Sequence, residues 1–404
     1  MRVAEAFSSE RQTTVSQKSP ISFEIGDSEC PSSKRCKHRY DQVAVATHMS
    51  RNNLNSWVRY FDDIGLQPAL NAAYLEYVSA CLASGIPPIF EGAHLAKLVG
   101  RHEGDLMSMV FATPDFYREF RIKKRTGGFR SISAPYPSLL EVQRWIKENV
   151  LSKHKFPNCV VGYRSKRSII DNARIHCNRE TMLKIDLEDF FPSIDFRRVA
   201  AVFNAMGYPT NVAFFLSRLC TLHEKLPQGG ATSPTLSNII CKQLDARLYG
   251  LCGSNRLRYT RYADDIVISG KTISKGLIRL VHEIVAEEGF RVNNRKTRIL
   301  GPGDRKIVTG LDISSGRPRV TRQFRRDLQK DVYFVWKDGL TAHMARRKLF
   351  EPNYIDQLTG RLAFWKSVEP QCRQMLITEE RVAELIRRYR THSMPERPTV
   401  ELAP

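Results

Sequence analysis

The spacing of apolar and polar positions changes period several times along the chain, and each change marks an element. From Leu54 to Val110 apolar residues recur at helical spacing, first Trp57, Tyr60, Phe61 and Ile64, then Leu70, Tyr74, Tyr77, Val78 and Leu82. Gly85-Ile86-Pro87-Pro88 breaks the pattern, and Leu95, Leu98 and Val99 resume it in a short helix. Helical stripes of this kind read as core rather than as platforms for stacking bases. Tyr117 to Pro135 predicts strand, Gly127-Gly128 turn, strand, and Leu139, Leu140, Val142, Trp145 and Ile146 predict an amphipathic helix. Thr181 to Leu187 alternates strictly, with Leu183, Ile185 and Leu187 on one face and Lys184 and Asp186 on the other. Leu236, Ile240, Leu244 and Leu248 predict one helix with a single buried stripe. Leu257, Tyr259 and Tyr262 on one side, and Ile266, Val267 and Ile268 on the other, predict a β-hairpin around Ala263-Asp264-Asp265. A further helix runs through Leu277, Leu280, Ile284 and Val285, and from Pro318 onward the chain is basic and helical, with an apolar-aromatic helix at Leu358–Trp365.

Candidate chemistry sits at the turns of this pattern. Neighbouring side chains on extended backbone point to opposite faces, so only a turn brings Asp264 and Asp265 near one site. Paired carboxylates there suit a hard divalent cation beside phosphates, although an Asp-Asp pair also merely closes hairpins. Asp186 points away from the core, toward a cleft, and Glu188 and Asp189 are rival donors beside it. Between these acidic sites lies Leu226-Pro227-Gln228-Gly229-Gly230, whose glycines allow close approach of backbone to a ligand, followed by Ser233-Pro234, a suitable helix start. The hairpin at Tyr117–Pro135 carries cations able to fold over a triphosphate, or else a solvated basic ribbon. Val161 to His176 reads as a loop with four cations, Arg164, Lys166, Arg167 and Arg174, suited to phosphate contacts. On physical grounds His176 reads as a structural hydrogen-bonding residue, while Phe191 is open between core packing and a role at the site.

Composition then narrows the partner. Lysine and arginine number 63 against 42 acidic residues, a net charge of +21, which calls for a polyanion without separating nucleic acid from a membrane surface. No apolar run approaches the ~20 residues of a membrane span and no signal-peptide core follows Met1, so a cytoplasmic protein with no membrane partner is expected. The nine cysteines are scattered and read as reduced. Residues 1–50 read as a flexible polar leader. Its Cys30, Cys36, His38 and His48 fit no zinc-finger spacing, and Met49 is a candidate alternative start.

An aspartate on a strand, a Pro-Gln-Gly loop opening a helix, and Tyr262-Ala263-Asp264-Asp265 on a hairpin, in this order across roughly residues 120–315, resemble the reverse transcriptases. Asn172-Ala173 with His176, and Val308-Thr309-Gly310, resemble segments of the retron branch, with group II intron-like and diversity-generating enzymes, or a noncatalytic RNA-binding scaffold, as the alternatives. The resemblance implies an α+β, right-hand polymerase: N-terminal helices and fingers over 51–180, an antiparallel palm sheet packed by helices over 181–315, and a basic helical thumb over 316–404. It implies two Mg2+ about 4 Å apart, held by Asp186, Asp264, Asp265 and the Leu187 carbonyl. Family register assigns Lys123, Arg130, Phe191, Gln228 and Lys296 to the nucleotide, with Phe191 blocking a ribose 2′-hydroxyl. Arg164, Lys166, Arg167, Asn172, His176, Val308, Thr309 and Gly310 are assigned to RNA and primer. The implied partners are a cognate noncoding RNA serving as template and primer, an RNA-DNA duplex, dNTPs and a defence effector protein.

Overall fold

A computed structural model describes residues 54–123, 127–349, 351 and 353–390; the polar leader, with its candidate zinc ligands and Met49, lies outside the described residues. The fold is α+β, and the three sheets among the described residues are antiparallel throughout. The chain forms two compact units, one from the residues up to Lys153 with Asp195–Thr232, the other from His154–Ile194 with Ser233 onward.

In the first unit, helices Leu54–Asp63 and Pro68–Ser84 bury Trp57, Phe61 and Val78 against one another, as their spacing predicts. Gly85, at φ 69, ends the second helix in the left-handed conformation that glycine adopts without steric cost. Strands β1 (Tyr117–Lys123) and β2 (Phe129–Pro135) pair as the expected hairpin. The helix Pro137–Ile146 buries Leu139, Val142 and Ile146, and on the same stripe a polar residue, Gln143. That amide is fully satisfied: Nε2 donates to the Tyr117 hydroxyl (2.7 Å) and the Leu219 carbonyl (2.8 Å), while Oε1 accepts from the Ala231 amide (2.9 Å). Gln143 thus pins the end of the Pro-Gln-Gly loop.

In the second unit the main sheet has the order β4-β5-β3-β6, from β3 (Thr181–Asp186), β4 (Arg258–Tyr262), β5 (Asp265–Gly270) and β6 (Arg298–Leu300). Leu183 and Ile185 on β3 and Leu187 just after it are buried while Lys184 and Asp186 are half-buried, the alternation read from sequence, whereas on β5 Ile266, Val267 and Ile268 are all buried because that strand is covered on both faces. The helix predicted through Leu236 and Leu248 is two, Ser233–Ile240 and Lys242–Ser254, interrupted at Cys241. Leu236, Leu244 and Leu248 are buried as expected, but so are Asn238 and Asp245, and both hold the guanidinium of Arg261. The segment Val161–His176, expected as a loop throughout, turns helical at Ile169–Ile175 because Ser168 and Asp171 form a capping box. A small sheet follows, β7 (Ile307–Val308), β8 (Leu311–Asp312) and β9 (Arg319–Val320).

The C-terminal helices Arg322–Asp338, Leu340–Arg347, Tyr354–Val368 and Arg373–Arg390 share a core that includes Leu328, Val335, Leu362, Trp365 and Leu385. Within it Asp331, 4% exposed, accepts from Arg347 and from Arg361 (2.8 Å), each on a different helix. Among the described residues no helix is long and apolar enough to cross a membrane. The seven described cysteines are free thiols.

Candidate active site

Antiparallel pairing places Asp186, the last residue of β3, directly opposite Asp265, the first residue of β5. Residues opposite one another across two strands project on the same face, so these carboxylates are neighbours by register. Ala263 and Asp264 make the turn, with Ala263 in left-handed backbone at φ 57. The Leu187 amide donates to the Asp264 carbonyl (3.0 Å), which ties the end of β3 to that turn. The acidic pair therefore reaches one site through a turn residue and a strand residue, as the alternation rule required.

Burial raises the Asp264 carboxyl to about 6, with Asp265 and Asp186 pushing it further up and Lys296 opposing them. Burial also raises Asp265, Lys184 opposing and Asp186 reinforcing the shift. Lys296 is held above its usual value, chiefly by its hydrogen bonds to Asp186; its ammonium lies 2.9 Å from both carboxylate oxygens. The lysine is carried on a turn whose Asn293 amide donates to the Asp186 carbonyl (2.8 Å). The rival donors Glu188 and Asp189 are exposed, whereas Asp186 is the acidic residue that presses on both Asp264 and Asp265.

Among the described residues no three acidic, histidine or cysteine side chains stand together as a closed metal cage. The reason is electrostatic: three half-buried carboxylates repel, and the Lys296 ammonium takes up Asp186. The donor chemistry still fits a hard divalent ion of the magnesium type, which is held through one or two carboxylates and completed by substrate phosphates and water.

Phe191 belongs to a chain of rings that runs outward from the core. Phe290 and Phe190 are 5.7 Å apart between centroids, and Phe190 and Phe191 are 5.3 Å apart. Phe190 and Phe290 are buried, while Phe191 is half-buried beside the site's strand end.

The other expected nucleotide contacts lie in the first unit. Gln228 is half-buried in a loop fastened to β2, its carbonyl accepting from the Ser133 amide (3.0 Å). At Gly229 (φ 139) a Cβ would stand 2.5 Å from the Ser133 carbonyl oxygen, so the glycine is required there. Arg130 pairs with Ile122 and Lys123 with Phe129, which puts the two cations on opposite faces of the β1–β2 ribbon. Their joint assignment to one triphosphate is not what this register offers.

Of the residues expected on RNA, several are not surface groups. Asn172, His176 and Val308 have no exposed area, so their side chains meet protein and not solvent. His176 sits between the Ser269 and Thr260 hydroxyls, 2.7 Å from each, and burial depresses it to about 3, so its neutral ring fastens β5 to β4. Arg164 donates to the Pro157 and Val160 carbonyls (2.7 and 3.0 Å), and Arg167 to Asn158 (2.6 Å); Lys166 and Gly310 are exposed. The two retron-like segments do meet, because the Thr309 hydroxyl donates to the Ile169 carbonyl (3.3 Å) and Val308 packs in one cluster with Ala173.

Sequence reasoning missed the Arg261–Asp245 pair, both at 0% exposure. Asp245 accepts from Nε and Nη2 of Arg261 (2.7 Å each) and from the Tyr259 hydroxyl (2.7 Å). Arg261 Nη1 in turn donates to the Ala263 carbonyl (3.2 Å) and to Asn238 (3.1 Å), so the pair holds the acidic turn from below. The available signal was Asp245 itself, a carboxylate adjoining the Leu244–Leu248 stripe.

Residues 122–322 match the family model described as reverse transcriptase (RNA-dependent DNA polymerase). The chain is 31% identical over 307 residues to the retron Ec86 reverse transcriptase of Escherichia coli, an alignment covering 75% of this chain and 92% of that one. It is 30% identical over 373 residues to the retron Mx162 reverse transcriptase of Myxococcus xanthus, covering 83% and 74%. A third relative, the retron Mx65 reverse transcriptase of the same organism, is 33% identical over 272 residues, covering 61% and 64%.

Proposed function

We propose that this chain, which belongs to the retron reverse transcriptases and is an RNA-directed DNA polymerase, copies part of a cognate structured noncoding RNA into single-stranded DNA. Synthesis starts from an RNA 2′-hydroxyl and leaves an RNA-DNA product, in the cytoplasm, as one component of antiphage defence with an effector protein. The observation that carries the reading is the carboxylate constellation of Asp186 opposite Asp265 with Asp264 at the adjoining turn.

In each cycle the primer oxygen bonds to the α-phosphorus of a dNTP, the bond to the β,γ-phosphates breaks, and pyrophosphate leaves while the hydroxyl proton is lost. Two Mg2+, when bound, would supply the charge that lowers the pKa of the attacking hydroxyl and neutralises the leaving group. Asp186, Asp264 and Asp265 would hold them, with the Leu187 carbonyl beside Asp186. Lys296 keeps its proton at Nζ while it rests on Asp186, and swings that ammonium to the leaving phosphates when the carboxylate is taken up. Gln228 and Arg130 position the nucleotide from the loop and hairpin of the fingers, and Phe191 closes the space a ribose 2′-hydroxyl needs. The basic C-terminal helices grip duplex backbone as a thumb.

The test is to purify the protein with its bound nucleic acid from a native host and treat the product separately with ribonuclease and with a debranching enzyme. A discrete DNA that shifts with both treatments, and is absent when Asp264→Asn replaces the wild type, is expected. Heterogeneous RNA alone, with DNA appearing only on an added primer, would rule out the retron product.

A further inference from the structure

Tyr163 stands at the outer end of the ring chain, 6.1 Å from Phe191 and 6.2 Å from Tyr262 between centroids. Its backbone is left-handed, at φ 60, a strained conformation for a residue with a Cβ that persists only where its surroundings enforce it. The surroundings do so. Val161 donates its amide to the Arg261 carbonyl (3.0 Å), and the Gly162 carbonyl accepts from Asn238 Nδ2 (2.9 Å). A Cβ on Gly162 would stand 2.8 Å from the Ala263 amide nitrogen, so this segment lies flat on the Tyr262–Ala263 turn. The ring is nevertheless 44% exposed, too open for a core residue held in strain.

We propose that Tyr163 is a specificity-determining residue that acts through Phe191, bracing the gate ring against the catalytic turn so that a ribose 2′-hydroxyl cannot displace it. The inference rests on the gate reading of Phe191 given above. Phe190 supports the Phe191 ring from the core side, and Tyr163 stops it on the open side, where a bulkier sugar would otherwise push it. Bracing by a ring contact adds little to the binding of the correct nucleotide, because that nucleotide does not press on the gate. Its loss therefore changes selectivity more than rate.

Discrimination is measured as the ratio of incorporation efficiencies for dNTP and rNTP on a primed RNA template, a ratio unaffected by the fraction of folded enzyme. Tyr163→Asn removes the ring and keeps a residue suited to left-handed backbone; Tyr163→Phe keeps the ring. Tyr163→Asn is expected to lower the ratio roughly three- to tenfold, the worth of one aromatic pair. Tyr163→Phe is expected to preserve it. Phe191→Val should lower it further, and adding Tyr163→Asn to Phe191→Val should lower it no more. An unchanged ratio in Tyr163→Asn beside a lowered one in Phe191→Val would overturn the role of Tyr163 alone. An unchanged ratio in Phe191→Val would overturn the gate and the brace together.

Discussion

Lys296 holds Asp186 by both carboxylate oxygens, at 2.9 Å each, from a turn that is itself hydrogen-bonded to the Asp186 backbone. The lysine is thus delivered to the carboxylate cluster by the same strand end it neutralises, and its cation is available to charge that develops there. Lys296→Ala is expected to lower the single-turnover incorporation rate about a hundredfold, a usual size for a lost proton-transfer or charge-stabilising group, with Lys296→Arg recovering part of it. Equal rates for Lys296→Ala and wild type would remove the residue from the chemistry.

Asp264 titrates near 6 in the folded protein because burial and its two acidic neighbours disfavour its charge. An acid whose folded value lies above its unfolded value destabilises the fold once it is ionised. The penalty is absent below the unfolded value of about 4, grows between about 4 and 6, and is complete above 6. In chelator, Asp264→Asn should therefore melt higher than wild type at pH 8, by about 3 kcal/mol of stability, with the two converging toward pH 4. Thermal denaturation across that range checks the sign.

The fully buried Arg261–Asp245 pair carries the acidic turn, and breaking one side strands a charge. Arg261→Met is expected to cost about 3–5 kcal/mol in denaturant unfolding, whereas Arg261→Met combined with Asp245→Leu should recover much of that, as buried pairs replaced by apolar residues often do. If the double variant folds well and still polymerises poorly, the pair matters for the placement of Ala263 and Asp264 more than for stability.

Lys123 and Arg130 of the β1–β2 hairpin should separate experimentally. Because Arg130 shares its face with Ile122 and Lys123 shares the other with Phe129, one triphosphate meets one face. Arg130→Ala is expected to raise the apparent KM for dNTP about tenfold, the worth of one charge-assisted contact, and Lys123→Ala to change it much less. Comparable effects from both would mean that the nucleotide bridges the ribbon's edge.

Much of the site was legible because its geometry follows from local rules. Alternation through Thr181–Leu187 and the hairpin around Ala263-Asp264 fix which carboxylates share a face, and both rules act over a few residues. What escaped the sequence depends on partners far apart in the chain. His176 was legible as a structural hydrogen-bonding residue, but its partners Thr260 and Ser269, like the burial of Gln143 among Tyr117, Leu219 and Ala231, are decided by tertiary hydrogen bonds that no local pattern encodes. The helix expected through Ile240 failed as one piece for a related reason. Its period was right at the leucines, yet Asn238 and Asp245 were also drawn inward to a single arginine.

Asp331 gives the C-terminal bundle a mechanical character. One carboxylate receives arginines from two other helices, so the helices Arg322–Asp338, Leu340–Arg347 and Tyr354–Val368 pivot on a common pin. The exposed cations Arg322, Arg326, Lys330 and Lys337 lie on the helix that carries the pin. A load applied along that row would be shared by all three helices at once, because a single carboxylate ties them together.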